Sequence, residues 1–422
     1  MSRVVAALLA AASCAPAAQA EVPPSAGQPS IAPFTLEQAL RAAGVASPSV
    51  EAADADLRAA EAGRAVARLK PNPEAQLEVE NVAGSRSYSG LQSAETTAGI
   101  ALPIELGGKR SARVALADAQ VDRARIAAAI AEAELQRRVT EAYIDTASSE
   151  RRIAIAQQEA DFAAAGFRAA TARVTAGAAS PIEQQRADVI RINANLALEK
   201  AKREAEVARG SLARLIGQSV SGPLDDAWFE KIGTYGPAEP VAVERTLVYA
   251  AAQADFSAVS AQVGLARSQR VPDLTLTAGA RYFSDTNSTA AVVGLSLPLP
   301  FFNNGRASVD QAEALERAAS SRRRVAAVEA EREIAEAQAA LAIAAANARA
   351  AGGPGLDAAM EAARIAAIGY ANGKFTQLDL IEGQRTLAQT RAAYVDALAE
   401  YHRAEALLMR LTAPARNSGD QP

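Results

Sequence analysis

The sequence predicts a mainly α-helical protein with a small β part, in which one large unit is written twice in tandem. Two long alanine-rich stretches have helical periodicity and predict helices far longer than those of a compact domain. Each stretch follows two short runs that alternate apolar and polar residues, which is the pattern of β-strands. The composition agrees, since 50% of the residues are hydrophobic but only 4% are aromatic, as is typical of closely packed helices rich in alanine.

The N terminus predicts export. Residues 1–20 hold a basic Arg3, a short apolar run and a final Ala-Gln-Ala triplet, which is the pattern of a cleaved secretory signal peptide. Cys14 leaves a second interpretation open, because the residues before it loosely match a lipoprotein processing site at which this cysteine would be lipidated. Under the first interpretation, the mature chain contains no cysteine and therefore no disulfide.

The rest of the chain is a tandem duplication. Several anchor residues recur 196 residues further along the chain, which is the signature of an internal repeat. The pairs are Arg110 and Arg306, Gly177 and Gly373, Ser180 and Thr376, Glu183 and Asp379, and Leu215 and Leu411. The predicted parts are a first repeat over 21–217, a linker over 218–242 that can pack as a small separate layer, a second repeat over 243–412 and a flexible tail over 413–422.

Each repeat begins with a helix, at about 48–69 and at about 243–268, that runs to a proline. Two short alternating runs follow, within about 75–102 in the first copy and about 273–298 in the second. Alternation with a period of two predicts two strands per repeat.

A sharp bend is predicted where each strand pair gives way to a helix, in LPIELGGKR from Leu102 and in LPLPFFNNGR from Leu297. Proline removes a ladder donor and glycine adopts dihedral angles closed to other residues, so both segments can end a strand and turn the chain. The predicted bend residues are Pro103, Gly107, Gly108, Pro298 and Gly305. The first segment is not a phosphate-binding P-loop, because Pro103 and Arg110 stand where that motif has a glycine and a hydroxyl residue.

A long helical hairpin follows each bend, over 108–216 and over 305–412. The first helix would be on the order of 100 Å long, at ~1.5 Å per residue, which is typical of coiled coils. The last helix has a heptad pattern from Leu380, with large residues at one core position and mostly small residues at the other. The run AGGPG at 351–355 has no counterpart in the first copy and predicts a break or a strong kink.

The two hairpins have tips of the same design. Gly177 and Gly373 permit a tight reversal between antiparallel helices. A hydroxyl residue then precedes each returning helix, with a carboxylate three residues later, which is the spacing of a capping box. The predicted capping boxes pair Ser180 with Glu183 and Thr376 with Asp379.

No catalytic residue, cofactor site or metal site is predicted. After the leader, the side chains that could bind a transition metal through sulfur or imidazole are Met360, His402 and Met409. Selecting such a metal takes a cluster of these ligands, so packing is the favoured role of all three. The formal net charge of -4 argues against nucleic acid as a partner, since phosphate binding needs a basic excess.

The strands are the only predicted route into a membrane. After the leader, no segment reaches ~18 uninterrupted apolar residues, the length of a membrane-spanning helix. Four strands cannot close a barrel, and an open sheet in lipid would leave the backbone groups of its edges unpaired. If the strands cross a membrane, several chains must therefore share one barrel.

Over nearly the whole mature chain, the sequence resembles the TolC family of bacterial outer-membrane efflux proteins, and LPIELGGKR resembles its heavy-metal, CzcC-like branch. The two-copy organisation and the two tips, V-x-x-G-x-x-S-x-x-E and Y-x-x-G-x-x-T-x-x-D, carry the resemblance. It implies a homotrimer whose protomers share a twelve-stranded β-barrel in outer-membrane lipid, continued by a long α-helical coiled-coil barrel through the periplasm. The trimer would be the passive exit duct of a tripartite pump for heavy-metal cations, joined by a periplasmic adaptor protein to an inner-membrane RND transporter.

The resemblance also implies roles for residues near the tips. The adaptor-contact residues would be Gly177, Ser180, Gly373, Lys374, Phe375 and Thr376. The periplasmic gate would be formed by Asp379, Glu382 and Tyr370, and three copies of two carboxylates one helical turn apart would make stacked rings that attract cations. A capping role alone explains Asp379 equally well. This chain has Phe375 where family members can hold a basic locking residue.

Two other functions stay open from the sequence. A periplasmic adaptor protein also has a signal sequence and a long helical hairpin, but it usually has one hairpin flanked by lipoyl-like strands. A type I secretion outlet, which passes polypeptides, shares the predicted architecture, and only genomic neighbours or a transport assay would separate it. An enzyme is the least favoured class.

Overall fold

A computed structural model describes residues 33–233 and 240–415. The predicted signal peptide with Cys14, and the predicted tail from residue 416, lie outside the described residues. The helices of the described part are α1 Leu36–Ala46, α2 Pro48–Ala67, α3 Lys109–Thr175, α4 Pro181–Ile216, α5 Asp226–Glu230, α6 Leu247–Gln269, α7 Arg306–Ala350, α8 Leu356–Ala371 and α9 Gln377–Leu411. The strands there are β1 Glu74–Glu80, β2 Glu95–Ile104, β3 Leu274–Phe283 and β4 Ser288–Ser296. The fold is mainly helical with a small sheet, as the sequence predicts.

The strands form one antiparallel sheet in the order β1-β2-β3-β4. Leu77, Ala98, Ala280 and Ala291 lie opposite one another in a single row, and successive rows face opposite sides of the sheet. One face is therefore apolar, and its large side chains are exposed: Leu77, Val79, Ile100, Leu102, Leu276, Val293 and Leu295. The apolar face covers no other part of the described chain.

The opposite face of the sheet is mainly polar. Arg281 is its central charge, since its guanidinium lies 2.8 Å from a carboxylate oxygen of Glu95 and 2.9 Å from one of Glu80. The same guanidinium donates a hydrogen bond of 2.8 Å to the Thr97 hydroxyl. Strands β1 and β4 each have a single neighbour in this sheet, so both edges are open.

The bend after β2 depends on glycine. Gly107 and Gly108 have φ angles of 70° and 72°, in the left-handed region that other residues rarely adopt. A Cβ on Gly107 would also lie 2.8 Å from the carbonyl oxygen of Ser268, so any side chain there would force the backbone apart. Gly305, with a φ of 72°, precedes α7 in the same conformation, and Pro298 lies just beyond β4 in the chain that leads to it.

The prediction that Pro103 ends the ladder is wrong. Strand β2 continues to Ile104, and Pro103 pairs with Thr275 of β3. Pairing with β1 stops at Ala101, so this part of β2 has a neighbour on one side only. A proline is tolerated where its nitrogen has no strand to donate to.

The helices pack side by side in the order α4, α3, α9, α8, with α7 continuing the line of α8. Helix α3, with 67 residues, is the long helix that the sequence predicts. None of the helices formed by residues 33–233 and 240–415 combines the length and apolarity needed to cross a bilayer.

The largest core lies midway along the long helices, where the segment between the repeats packs against them. Trp228 stacks on His402 with ring centroids 4.3 Å apart and meets Tyr143 edge-on at 5.2 Å. Leu224 and Phe229 are buried in the same cluster. The described part of the linker therefore does not form a separate layer, because this short segment buries its apolar side chains by joining the core of α3 and α9. Residues 234–239 of the predicted linker lie outside the described residues.

Residues 413–415 do not belong to a free tail, which corrects the prediction of flexibility from 413. Leu247 donates a backbone hydrogen bond of 3.0 Å to Ala413, and Ala415 donates one of 2.8 Å to Arg245. The Thr246 side chain between these bonds is buried. These bonds fasten the end of α9 to the start of α6.

The kink predicted at 351–355 is present as a π-helical turn between α7 and α8. Gly353 has φ and ψ of -102° and -114°, outside the helical region, and Pro354 follows it. The Tyr394 ring of α9 lies against Gly352, where an added Cβ would be 2.2 Å from a ring carbon. The break in one helix therefore accommodates a large side chain of its neighbour.

We expect Gly352→Ala to destabilise the protein by about 1 to 3 kcal/mol, because the added methyl group cannot fit beside the Tyr394 ring. Thermal unfolding of the purified protein in detergent measures the loss. Gly166→Ala is the matched control, since a Cβ there meets nothing within 4 Å, and it should be neutral or stabilising. Adding Tyr394→Leu should recover part of the loss, and an unchanged melting temperature in Gly352→Ala would contradict the packing.

Candidate functional site at the hairpin tips

The chain reverses direction with the same backbone geometry at both tips, which are 196 residues apart in the sequence. Gly177 and Gly373 have φ angles of 73° and 70°. The next residue in each tip donates a hydrogen bond of 2.8 Å back to the helix, from Ala178 to Arg173 and from Lys374 to Gly369. This pattern is a Schellman motif, which requires the left-handed residue that glycine supplies.

The second tip contains the predicted capping box. The Thr376 hydroxyl accepts a hydrogen bond of 3.2 Å from the Asp379 amide, and the Asp379 carboxylate accepts one of 2.8 Å from the Thr376 amide. The Thr376 hydroxyl also donates to this carboxylate at 2.7 Å, and the two bonds from Thr376 lower the pKa of Asp379. This carboxylate therefore helps the cap at any pH above its ordinary pKa, and the contribution is lost as the pH falls through the lowered value.

The first tip lacks a capping box, which corrects the prediction for Ser180 and Glu183. Ser180 precedes α4, but its side chain makes no capping bond. The Glu183 amide donates instead to the Ser180 carbonyl oxygen at 2.9 Å, so the amide that the hydroxyl would cap is already paired. The two tips therefore share their turn and differ in how the returning helix starts.

Phe375 folds back on the helix that precedes it. Its ring lies against Gly369, where a Cβ would be 2.2 Å from a ring carbon, and its amide donates to the Gly369 carbonyl oxygen at 3.2 Å. The side chain keeps 43% of its surface exposed. Lys374 beside it is exposed, so the tip presents an ammonium group next to an aromatic edge.

An interaction between the hairpins was missed by sequence reasoning. The Arg173 guanidinium of α3 lies 5.6 Å from the centre of the Tyr370 ring of α8, within the range of a cation–π contact. This contact ties the first tip to the second inside one chain. No local pattern marks Arg173, because its partner is distant in the sequence.

The predicted gate residues are close together on one hairpin. Asp379 and Glu382 are exposed on the first two turns of α9, with the spacing that places side chains on one helix face. Asp379 is engaged by its own cap. Tyr370 lies on α8 across the tip. In a single chain these groups lie on the surface, and they do not close a channel.

A groove of about 440 Å³ runs between the hairpins above the tips. Helices α3, α4 and α9 line it, and Phe162 is a large apolar side chain at its opening. Burial raises the pKa of Glu159, which also lines the groove. The lining therefore combines apolar side chains with polar ones such as Gln158 and Arg391.

The described residues contain no group of three or more His, Cys, Asp or Glu side chains arranged to hold a metal ion. His402 is buried, and its Nε2 atom lies 2.9 Å from the carbonyl oxygen of Phe229, to which it donates. The imidazole therefore serves packing and a backbone hydrogen bond.

A family model described as outer membrane efflux protein matches residues 39–218 and 242–413, one range in each copy of the duplicated unit. The chain belongs to this family. The resemblance stated from the sequence is thereby confirmed, and the protein is an outer-membrane efflux protein. The periplasmic adaptor interpretation is not supported, and the family consists of channel proteins rather than enzymes.

Named relatives and solved structures agree with this membership. The cobalt-zinc-cadmium resistance protein CzcC of Cupriavidus metallidurans is 31% identical over 391 residues, which cover 90% of this chain and 90% of CzcC. The nickel and cobalt resistance protein CnrC of the same organism is 30% identical over 310 residues, covering 72% of this chain and 71% of CnrC. The open state of the Neisseria gonorrhoeae MtrE outer membrane channel has a TM-score of 0.72 at 20% identity, covering 89% of this chain and 88% of MtrE, and shows the same fold.

We expect Thr376→Ala to lower the stability of the first turn of α9 by about 1 kcal/mol, because it removes the hydroxyl that caps the Asp379 amide. Hydrogen exchange of the amides in that turn measures the effect. Ser180→Ala is the matched control, since Ser180 makes no side-chain cap, and it should leave exchange at the start of α4 nearly unchanged. Equal losses at both tips would contradict the difference between them.

Proposed function

We propose that this protein is the exit duct of a tripartite pump that exports divalent heavy-metal cations. The observation that carries the proposal is the 31% identity with a cobalt-zinc-cadmium resistance protein over 90% of both chains. A second metal-resistance protein, for nickel and cobalt, is 30% identical over 72% of this chain. The duct acts as a passive conduit, and selection of the metal belongs to the other components of the pump.

The open sheet supports a trimer with a shared barrel. Strands β1 and β4 each leave one row of backbone groups unpaired, and in lipid such groups cost several kcal/mol each. Pairing β4 of one copy with β1 of the next satisfies both edges, and three copies give twelve strands. The exposed apolar face then turns to lipid and the face of Arg281 to the lumen.

Unpartnered stripes on the helices support the same assembly. Helix α4 carries an exposed apolar stripe formed by Ile182, Val189, Ile192 and Leu196. Exposed apolar residues also lie on the far flank of the chain, at Val328 of α7 and at Ile365 and Ile368 of α8. Because the two flanks are separated by α3 and α9, one chain cannot bring them together. Head-to-tail contact between copies buries both flanks and closes a ring.

The tips carry the proposed gate and the proposed adaptor contacts. In a trimer, Asp379 and Glu382 form rings of carboxylates at the periplasmic entrance, which concentrate cations there. The Arg173–Tyr370 contact holds the gating hairpin against its neighbour, so its loss favours an open entrance. The adaptor meets the exposed Lys374 and Phe375 and the groove behind the tips, and it links the duct to an inner-membrane RND transporter.

A type I secretion outlet is the second candidate, because it shares the trimeric duct. The relatives named above favour metal export over polypeptide secretion. Neither the tips nor the sheet distinguishes metal ions from polypeptides as the exported substrate. The test must therefore measure which of the two is exported.

Deletion of the gene should lower the growth limit of the native host in zinc, cobalt or cadmium and raise its content of these metals, and the wild-type chain should restore both. Growth in graded metal and elemental analysis of washed cells provide the readouts. Glu382→Gln tests the gate, and Asp357→Asn is a matched exposed control on α8. Unchanged metal content together with a lost secreted polypeptide would support the secretion outlet instead.

We expect Ile192→Glu to prevent or weaken trimer formation, because it places a charge in the apolar stripe of α4. Light scattering of the detergent-extracted protein measures the mass, which should fall from three chains to one. Asn195→Glu adds the same charge on α4 at an exposed position off the stripe and should keep the trimer. A wild-type protein with the mass of one chain would contradict the shared barrel.

A further inference from the structure

Helices α3 and α7 carry the same pattern of charges at corresponding places. Each has a glutamate, an arginine three residues later and a second glutamate four residues after that, in ELQRRVTE at 134–141 and in EAEREIAE at 329–336. In both helices the arginine is ion-paired with the second glutamate, Arg137 with Glu141 and Arg332 with Glu336. The two segments are therefore structural counterparts, and Glu329 is the counterpart of Glu134.

The burial of the neighbouring residues supports this alignment. Leu135 and Val139 are buried in α3, and Ala330 and Ile334 are buried at the same places in α7. The counterparts here are 195 residues apart, whereas the tips are 196 residues apart. The π-helical turn at 351–355 lies between α7 and the second tip, and a π-helix holds one more residue per turn than an α-helix. This turn therefore accounts for the additional residue.

Glu134 contacts the second repeat through an arginine of α9. The Arg410 Nε atom lies 3.6 Å from a carboxylate oxygen of Glu134. Helix α9 is the counterpart of α4, and Arg410 corresponds to Arg214, which stands 196 residues earlier. The contact between α3 and α9 inside one chain therefore has a potential duplicate, formed by α7 and α4.

The duplicates of this charge pair lack charged partners in the part of the chain that the structure describes. Glu329 is exposed, and no hydrogen bond or ion pair joins its side chain to residues 33–233 or 240–415. Arg214 is exposed too, and its guanidinium donates a hydrogen bond of 3.0 Å to the Ser211 hydroxyl one turn earlier on the same helix. Because α4 and α7 lie on opposite flanks of the chain, Arg214 and Glu329 cannot meet within one copy.

Exposed apolar side chains accompany the two unpaired charges. Val207 of α4 is 67% exposed and Ile343 of α7 is 61% exposed. The counterpart of Val207 is Arg403, which is ion-paired with Asp145, and Ile343 lies about one turn beyond the counterpart of Asp145. Where the contact inside the chain has an ion pair, the two free flanks thus carry apolar side chains that lose contact with water by meeting.

We propose that Arg214 of one copy pairs with Glu329 of the next, beside an apolar contact between Val207 and Ile343. The inference rests on the proposed trimer and adds to it the helices, the register and the side chains that meet. The occupant of the α4 flank is a second copy of this chain, because α9, the duplicate of α4, already packs on α3, the duplicate of α7. An adaptor protein is the competing occupant.

Cross-linking tests the pairing. Arg214→Cys is combined with Glu329→Cys in the full chain, and isolated outer membranes are treated with a short bis-maleimide. Denaturing gels should show species of two and three chains. Each single cysteine variant should stay at one chain, and so should Arg214→Cys combined with Glu331→Cys, since residue 331 is exposed on a different face of α7.

The mass of the wild-type protein in detergent separates failure of the pairing from failure of the trimer. A mass of three chains without cross-linked species in the Arg214→Cys and Glu329→Cys variant would overturn the pairing and leave the trimer standing. A mass of one chain would overturn both proposals. Cross-linking of Arg214→Cys to a different protein would overturn the pairing and assign the α4 flank to an adaptor.

A charge exchange tests the ion pair itself. Arg214→Glu should make the trimer dissociate in detergent about five-fold more readily or more, because three ion pairs are replaced by three repulsive contacts. Adding Glu329→Arg to the same chain should restore the wild-type dissociation, since the exchanged charges attract again. Adding Glu331→Arg instead should not restore it. Equal recovery with both arginines would reduce the effect to net charge and overturn the specific pair.

Discussion

The open edges of a four-stranded sheet with one apolar face are the constraint on which the rest of the structure depends. Backbone groups at the edges of β1 and β4 need partners, and the apolar face needs a solvent other than water. The chain by itself supplies neither. The helical part follows the same logic, since α4 on one flank and α7 with α8 on the other expose apolar stripes that cannot meet inside one chain.

The core around His402 holds the two repeats in a fixed relation. Tyr143 of α3 donates a hydrogen bond of 2.7 Å to the Phe34 carbonyl oxygen and accepts one of 3.0 Å from the Asp225 amide. Burial raises the pKa of Tyr143 to about 12, so this phenol keeps the proton that it donates to Phe34 well into the alkaline range. Tyr401 of α9 likewise accepts a hydrogen bond of 3.1 Å from the Gly233 amide. The segment between the repeats is thereby bonded to one long helix of each.

Local rules explain what could be predicted from the sequence. The left-handed glycines, such as Gly108 and Gly373, and the Thr376 cap are properties of a few consecutive residues. The period-two pattern of the strands and the length of α3 are equally local. The family resemblance supplied the gate residues, which no local rule distinguishes from ordinary solvated carboxylates.

The errors occur where a distant partner decides the outcome. Pro103 remains inside β2 because pairing with β1 stops at Ala101, so no strand on that side needs the amide hydrogen that proline lacks. The linker joins the main core because the Trp228 ring stacks on the ring of His402, which lies far away in the sequence. At Ser180 the backbone itself takes the bond that the hydroxyl was expected to make. The contact of Arg173 with Tyr370 spans the two repeats, so its geometry follows only from the folded chain.

The π-helical turn at 351–355 occurs in only one of the two repeats, and this sets the symmetry that a binding partner meets. Three duplicated chains in a ring would present six hairpins of similar shape. Because only every second hairpin is broken, such a ring would have three-fold symmetry and only approximate six-fold symmetry. A partner that recognises features common to both hairpins can bind six times around the ring. One that recognises the broken hairpin is limited to three copies, so the stoichiometry of the assembly would report which surface the partner uses.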